Sequence, residues 1–187
     1  MSEKIMNAKC TKNPEEIIEE KRARISQKRT IFSFFIKLVI IVGMIFAIFH
    51  YVYGFLSVSG NDMYPRILDG DFIFYYRRMD KIEIGDIVVF HADGGRRIGR
   101  VVAQGQDIVE IGSDGTLIIN GSVQDEEIFY PTYERGNNVT YPYQVPEGSY
   151  FILCDYRTES VDSRTFGSVY RSSLEGKVIS IFRRRDM

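Results

Sequence analysis

Tryptophan is missing from the 187 residues, and only two cysteines, two histidines and five prolines occur. Cys10 and Cys154 are too few for a disulfide framework. With His50 and His91 as the whole histidine complement, no histidine–carboxylate spacing recommends a metal centre, and none is expected; no other cofactor is expected either. Neither sign of charge dominates: 24 lysines and arginines face 25 acids, which gives no reason to expect nucleic acid as a partner. Internal repeats and low-complexity linkers are absent. Lysine is scarce after residue 56, where only Lys81 and Lys177 remain. What the chain has in quantity is phenylalanine and tyrosine, 13 and 12 residues, and that aromatic load predicts a strand-rich core.

One apolar run, Ile31 to Leu56, breaks this even composition and is interrupted by Lys37 and His50. Leu38–Leu56, about 19 residues, spans roughly 28 Å as a helix and matches a bilayer core. Lys37 near its start can snorkel to the headgroups, and Tyr51 and Tyr53 suit the far interface. A basic cluster of Lys21, Arg22, Arg24, Lys28 and Arg29 precedes the run. The positive-inside rule then predicts a cytoplasmic segment at 1–30, a transmembrane signal-anchor at 31–56 and an extracellular domain at 57–187. Cys10 and Cys154 would face opposite compartments. Ser57-Val58-Ser59 offers a signal-peptide cleavage site as the alternative, but a cut there starts the domain at Gly60, and the long charged stretch before the run fits a signal peptide poorly. A cytoplasmic helix is expected from about Pro14 to Lys28, with acids at its start and bases at its end as the helix dipole favours.

After the anchor, short β-branched and aromatic runs alternate with turn signals. Strands are expected at Phe72–Tyr76, Ile87–Phe90, Ile98–Ala103, Ile108–Ile111, Leu117–Ile119, Tyr150–Leu153 and Val178–Phe182. Asn120-Gly121 predicts a type I′ hairpin turn, and Asp93-Gly94-Gly95 another tight turn. Helix period is lacking here apart from a short turn at Ser168–Leu174. A mainly β, barrel-like or Greek-key domain follows. Residues 120–145 mix acids (Glu126, Glu127, Glu134) with tyrosines (Tyr130, Tyr133, Tyr141, Tyr143), and read either as a flap over the sheet or as a binding surface. Asn138-Val139-Thr140 fits the N-glycosylation sequon, which needs a eukaryotic secretory route.

Several segments carry a family likeness. Gly60-Asn61-Asp62-Met63-Tyr64-Pro65-Arg66-Ile67-Leu68 is similar to the box Gly-x-Ser-Met-x-Pro-Thr-Leu of type I signal peptidases. Arg100-Val101-Val102-Ala103-Gln104-Gly105-Gln106-Asp107 resembles their Lys-Arg-Val-Ile-Gly-x-Pro-Gly-Asp box. Gly85-Asp86-Ile87-Val88-Val89-Phe90 and Val145-Pro146-Glu147-Gly148-Ser149-Tyr150-Phe151 resemble two further strands. Cys154-Asp155-Tyr156-Arg157-Thr158-Glu159-Ser160-Val161-Asp162-Ser163-Arg164 resembles Gly-Asp-Asn-Arg-x-x-Ser-x-Asp-Ser-Arg, with Cys154 and Tyr156 replacing glycine and asparagine; Phe166-Gly167 and Gly176-Lys177 complete the ending. The resemblance covers nearly all of Gly60–Phe182 together with the anchor, and implies a signal-peptidase-type β-barrel-like domain behind one N-terminal transmembrane helix.

The same resemblance puts Asp62 where the family has its serine nucleophile and Gly99 where it has its lysine base. In the family a neutral lysine takes the serine proton and the alkoxide attacks the scissile carbonyl. Gly99 offers no base, and carboxylate attack on an amide would have to expel an amine and leave a strained anhydride. The expectation is therefore a pseudoenzyme with no catalytic residues. Asp62, Met63, Gly99 and Ser160 would line a retained binding groove, and Asp162 with Arg164 would form a structural ion pair. Ser160 would face the empty lysine place, a peptide would add as a strand beside Gly99, and Asp62 would favour a basic segment. Three rescues stay open: an aspartic dyad of Asp62 with Asp155, His91 as base for Ser160, and a metal on Asp62, Asp155 and Asp162. The paired Asp62 and Gly99 most resemble a catalytically degenerate streptococcal branch of the family that serves pilus assembly. That likeness implies a membrane-bound accessory or chaperone at a Gram-positive cell surface, working with pilin subunits and/or a class C sortase. The alternatives are a divergent signal peptidase and a decoy that shields signal peptides.

Overall fold

The apolar run Ile31–Leu56 changes its conformation before it ends. A computed structural model describes residues 14–79, 81–124 and 128–183. Cys10, Asp80, Glu126 and Glu127 lie outside the described residues, as do the side chains of Lys21, Arg22 and Arg24. Helix α1 (Pro14–Tyr51) is continuous, so the expected helix at Pro14–Lys28 is its first part. Within it, Lys28–Tyr51 has 24 residues with mean hydropathy 2.7, long and apolar enough to cross a membrane. The far end of the expected span, Leu38–Leu56, is corrected: the helix stops at Tyr51, and Tyr53–Ser57 form strand β1. β1 pairs antiparallel with β2 (Phe72–Tyr76), Tyr53 opposite Tyr76 and Ser57 opposite Phe72. From Tyr53 onward the aromatics are better used across strands than around a helix. Tyr53 stacks on Phe74 with centroids 4.9 Å apart, and Phe55 on Phe72 at 5.2 Å.

Two antiparallel sheets make up the β domain. The remaining strands are β3 (Ile87–Ala92), β4 (Gly95–Gln104), β5 (Ile108–Ile111), β6 (Leu117–Ile119), β7 (Ser122–Val123), β8 (Tyr143–Gln144), β9 (Ser149–Leu153), β10 (Val169–Tyr170) and β11 (Leu174–Phe182). The larger sheet runs β1-β2-β11-β3-β4-β9-β10 and the smaller β7-β6-β5-β8. Neither closes on itself, so the mainly β, barrel-like domain is built as a pair of open sheets. The seven expected strands all form, although β4 begins three residues earlier than Ile98 and β11 four residues earlier than Val178. Both hairpin turns have left-handed central residues, with φ of 52° and 77° at Asn120 and Gly121 and 51° and 71° at Asp93 and Gly94. The turn expected near Ser168–Leu174 is a 3-10 turn at Arg171–Ser173, and a short helix α2 (Ser163–Phe166) precedes it.

Alternation along β3 divides the core. Val88 and Phe90 pack with Val101 and Ile152 on one face, while Val89 packs with Met63, Ile67, Ile73 and Cys154 on the other. Tyr75 threads between two glycines: a Cβ at Gly54 would lie 2.0 Å from its Cζ, and one at Gly176 2.3 Å from its Cδ2. That passage brings its hydroxyl to Glu175, which it reaches at 2.5 Å. Glu175, whose side chain is only 10% exposed, also meets Arg77 at 2.7 Å, Arg96 at 2.7 Å and His91 at 3.2 Å. One carboxylate thereby ties β2, β3 and β4 to β11.

Burial pushes the Glu175 carboxyl up, but the Tyr75 hydroxyl, Arg77 and Arg96 outweigh it and hold the group below its ordinary 4.5. Burial and the bond to Glu175 push Tyr75 up to about 12. A depressed folded-state carboxyl contributes stability that is present above its unfolded value and lost as pH falls through its folded one. The wild-type Tm should therefore fall on acidification below about pH 4.5. Glu175→Gln should start lower at pH 7 and fall less steeply, a contrast that thermal denaturation between pH 7 and 3 would measure.

Candidate functional site

The loop from Val58 to Asp71 is built by its own acids and amides. The Val58 N–H donates to the Asp71 carbonyl at 2.8 Å, and the Gly70 N–H returns to the Val58 carbonyl at 2.9 Å. Asp69 accepts from the Gly60 N–H at 2.8 Å and Asp71 from the Leu68 N–H at 2.9 Å. Met63 and Ile67 point into the core, 2% and 0% exposed, while Asp62 between them and the solvent is half-buried. The side chain of Asp62 makes no hydrogen bond or ion pair among the described residues.

Across from this loop lies the start of β4. β3 pairs with Gly95–Arg100 on one side, but β9 meets β4 only from Arg100 onward. A cleft of about 420 Å³ lies there, lined by residues 56–60, Asp62, Met63 and 95–98. Arg96 and Arg97 share it with Asp62; Arg96 is drawn to Glu175, and Arg97 lies 3.4 Å from Asp93. The expectation that Asp62 makes the groove favour a basic segment thus meets a second charge, because Arg96 and Arg97 also belong to its lining.

Asp62 and Ser160 come together through the backbone. The Ser160 hydroxyl lies 2.8 Å from the Tyr156 carbonyl and 3.1 Å from the Asp62 carbonyl, and the Tyr156 N–H donates to the same Asp62 carbonyl at 2.9 Å. Ser160 is buried and does not face an empty place. The Cys154 thiol contacts the Ile98 carbonyl at 3.6 Å. Burial first, then the charges of Asp162 and Asp62, push this thiol up, so it stays protonated and acts as packing.

Gly99 is not part of the cleft wall. A Cβ built there would lie 2.6 Å from Ile152 Cγ2, 3.2 Å from the Leu153 carbonyl and 3.3 Å from Phe90 Cε1. The room left by the missing side chain is taken by the protein's own core, which corrects the expectation that a ligand backbone approaches at Gly99. Asp155 is likewise committed. Arg100 grips its carboxylate at 2.9 and 2.6 Å, so no aspartic dyad with Asp62 is assembled. His91 is turned to Glu175 and does not serve Ser160. Among the described residues no group of three His, Cys, Asp or Glu side chains could hold a metal ion. Lys81 pairs with Glu83 at 2.8 Å and Lys177 with Asp86 at 2.7 Å, so neither is spare as a base. Asp162 and Arg164 form the expected pair at 2.8 Å, fully buried.

A family model described as signal peptidase, peptidase S26 matches residues 31–183. The chain belongs to that signal peptidase family. Signal peptidase IB of Staphylococcus aureus (strain COL) is 28% identical over 170 residues, 81% of this chain and 88% of that protein. Signal peptidase I of Bacillus amyloliquefaciens is 32% identical over 139 residues, 68% of this chain and 72% of that protein. A crystal structure of a signal peptidase I from Enterococcus faecalis V583 is similar at 32% identity, covering 55% of this chain and 99% of that one, with a TM-score of 0.44. Within the signal peptidase frame, two features of the site escaped sequence reasoning. Cys154 packs in the core with Met63 and Val89, and Arg96 and Arg97 line the cleft. The glycine-to-cysteine departure at 154 was the available signal for the first; the hairpin register, which puts Arg96 beside Ile98 on the Val89 face, bears on the second.

Proposed function

We propose that this protein is a non-catalytic signal peptidase homologue, anchored by α1, that serves as an accessory or chaperone in pilus assembly and binds pilin and/or a class C sortase. Its N-terminal segment lies in the cytoplasm and the β domain outside the membrane. The observation that carries the loss of catalysis is the closed space at Gly99. A lysine there would have to pass its stem through Ile152 Cγ2, 2.6 Å from the first carbon. Asp62 in the serine's place and the absence of a spare lysine nearby support the same reading. The pilus role rests on the likeness of the paired Asp62 and Gly99 to the degenerate streptococcal branch. The retained cleft between residues 56–63 and 95–98 is the surface offered to the partner.

A second reading is favoured by the relatives, which are named signal peptidases, and by the open cleft: a divergent enzyme cutting exported preproteins. Deletion in the source organism, followed by complementation, separates them. Covalent pilin ladders on a denaturing gel should vanish on deletion and return with the wild type, but return at most weakly with Asp62→Ala. Ladders unaffected by the deletion would remove the pilus role. Ladders restored fully by Asp62→Ala would move the partner to another surface.

A further inference from the structure

A second surface adjoins the Asp62 loop. Tyr64, Tyr130 and Tyr156 form a ring cluster, with centroids 6.0 Å apart for Tyr64–Tyr156, 4.8 Å for Tyr130–Tyr156 and 6.5 Å for Tyr64–Tyr130. Each tyrosine is the sequence neighbour of one wall of a cavity of about 340 Å³. Pro65 and Arg66 follow Tyr64, Ile128 and Phe129 precede Tyr130, and Asp155 precedes Tyr156; Arg183 completes the lining. Cluster and cavity are therefore one continuous patch. Phe129 is 83% exposed, and an aromatic left in water beside three tyrosines is the composition of a protein-binding surface rather than of a solvated loop.

The charges of the cavity point to its ligand. Asp155 is neutralised by Arg100, which holds both of its oxygens. Arg66 and Arg183 are exposed, and their side chains make no hydrogen bond or ion pair among the described residues. Two uncommitted guanidiniums thus stand beside an apolar wall. Guanidinium forks match carboxylate geometry, and Phe129, Ile128 and the tyrosines accept an apolar neighbour of that carboxylate. We infer that this patch docks an acidic segment of a partner protein, its carboxylate on Arg66 and Arg183 and the adjoining aromatic or aliphatic side chain against Phe129 and Tyr156. The inference goes beyond the proposed function and does not depend on the Asp62 cleft.

The test uses the full chain in nanodiscs of uncharged lipid and a displayed library of random nine-residue peptides. Peptides selected on the wild type are measured by fluorescence anisotropy. Selected sequences should carry Asp or Glu next to an aromatic or aliphatic residue. Their affinity should drop at least tenfold for Arg66→Gln with Arg183→Gln, and likewise for Phe129→Ser. It should also drop when the peptide acid is changed to its amide. Sequences without an acid, or affinities equal among wild type and variants, would overturn the inference. Two other occupants would also overturn it. Binding that appears only after Asp125→Asn, Glu126→Gln and Glu127→Gln would show the patch filled by the acidic run that precedes Ile128. Displacement of the peptides by phosphatidylglycerol vesicles, but not by phosphatidylcholine vesicles, would assign the arginines to lipid.

Discussion

Asp62→Ser combined with Gly99→Lys, which rewrites the family dyad, is expected to yield no preprotein cleavage above wild type and to lower the Tm by several degrees. The reason is space. Ile152 and Phe90 are both 0% exposed, and the first side-chain carbon at position 99 would stand 2.6 Å from one and 3.3 Å from the other. Ile152 branches at Cβ, so its Cγ2 methyl cannot swing aside as the end of a long chain would. Overpacking a filled core costs about 1–3 kcal/mol for added methylenes, and an amine at the end of the stem adds a buried charge. A lysine that squeezed past would still find the core filled at Cys154, which is 1% exposed. Adding Ile152→Ala and Cys154→Gly reopens both places. The fourfold variant is therefore expected to recover stability relative to the double one and to gain detectable cleavage. Mass spectrometry of a preprotein in detergent, read beside thermal denaturation, checks both. Cleavage by the double variant as strong as that of the fourfold one would mean that side-chain identity at 62 and 99, and not refilled space, decides whether this site can cut.

How much of this could be read from residues depends on where each decision is made. The β3 run Ile87–Phe90 is β-branched and ends beside a turn sequence, so its strand is local information. The end of α1 is not local in that sense. Tyr53–Ser57 has the same apolar character as the helix before it, and only pairing with Phe72–Tyr76 turns it into a strand. Residues 120–145 were opaque for a related reason. Their two-residue strands at Ser122 and Tyr143 exist through partners on β6 and β5, while Val139 and Val145 are buried against Phe151 and Leu153 from β9. At the site, Asp62, Ser160, Asp162 and Arg164 stood out because they sit in motifs. Glu175 did not, because its partners come from β2, β3 and β4 and leave no spacing to recognise.

Asp162→Ala should be the most destabilising single change in the domain. Asp162 is 0% exposed, and its carboxylate accepts four bonds: the Cys154 N–H at 3.1 Å, the Arg164 N–H at 3.1 Å, and Arg164 Nε and Nη2 at 2.8 Å each. It caps α2, fixes the backbone at Cys154 beneath the cleft, and neutralises a guanidinium that is itself 1% exposed. Removing one member of a buried pair costs about 3–5 kcal/mol, because the other charge is left without a partner. Loss of the cap adds about 1 kcal/mol. Arg164→Ala should cost less than Asp162→Ala, since the carboxylate keeps its two backbone donors. The double change of Asp162→Ala with Arg164→Ala should then fall well short of the sum, as neither charge is stranded. Urea denaturation of the four proteins closes that cycle. If the two single effects simply add, the pair is no more than two independent packing groups. If the double variant is milder than their sum, the expense of Asp162→Ala lies in the stranded arginine, and each charge is tolerated in the core only because the other is there.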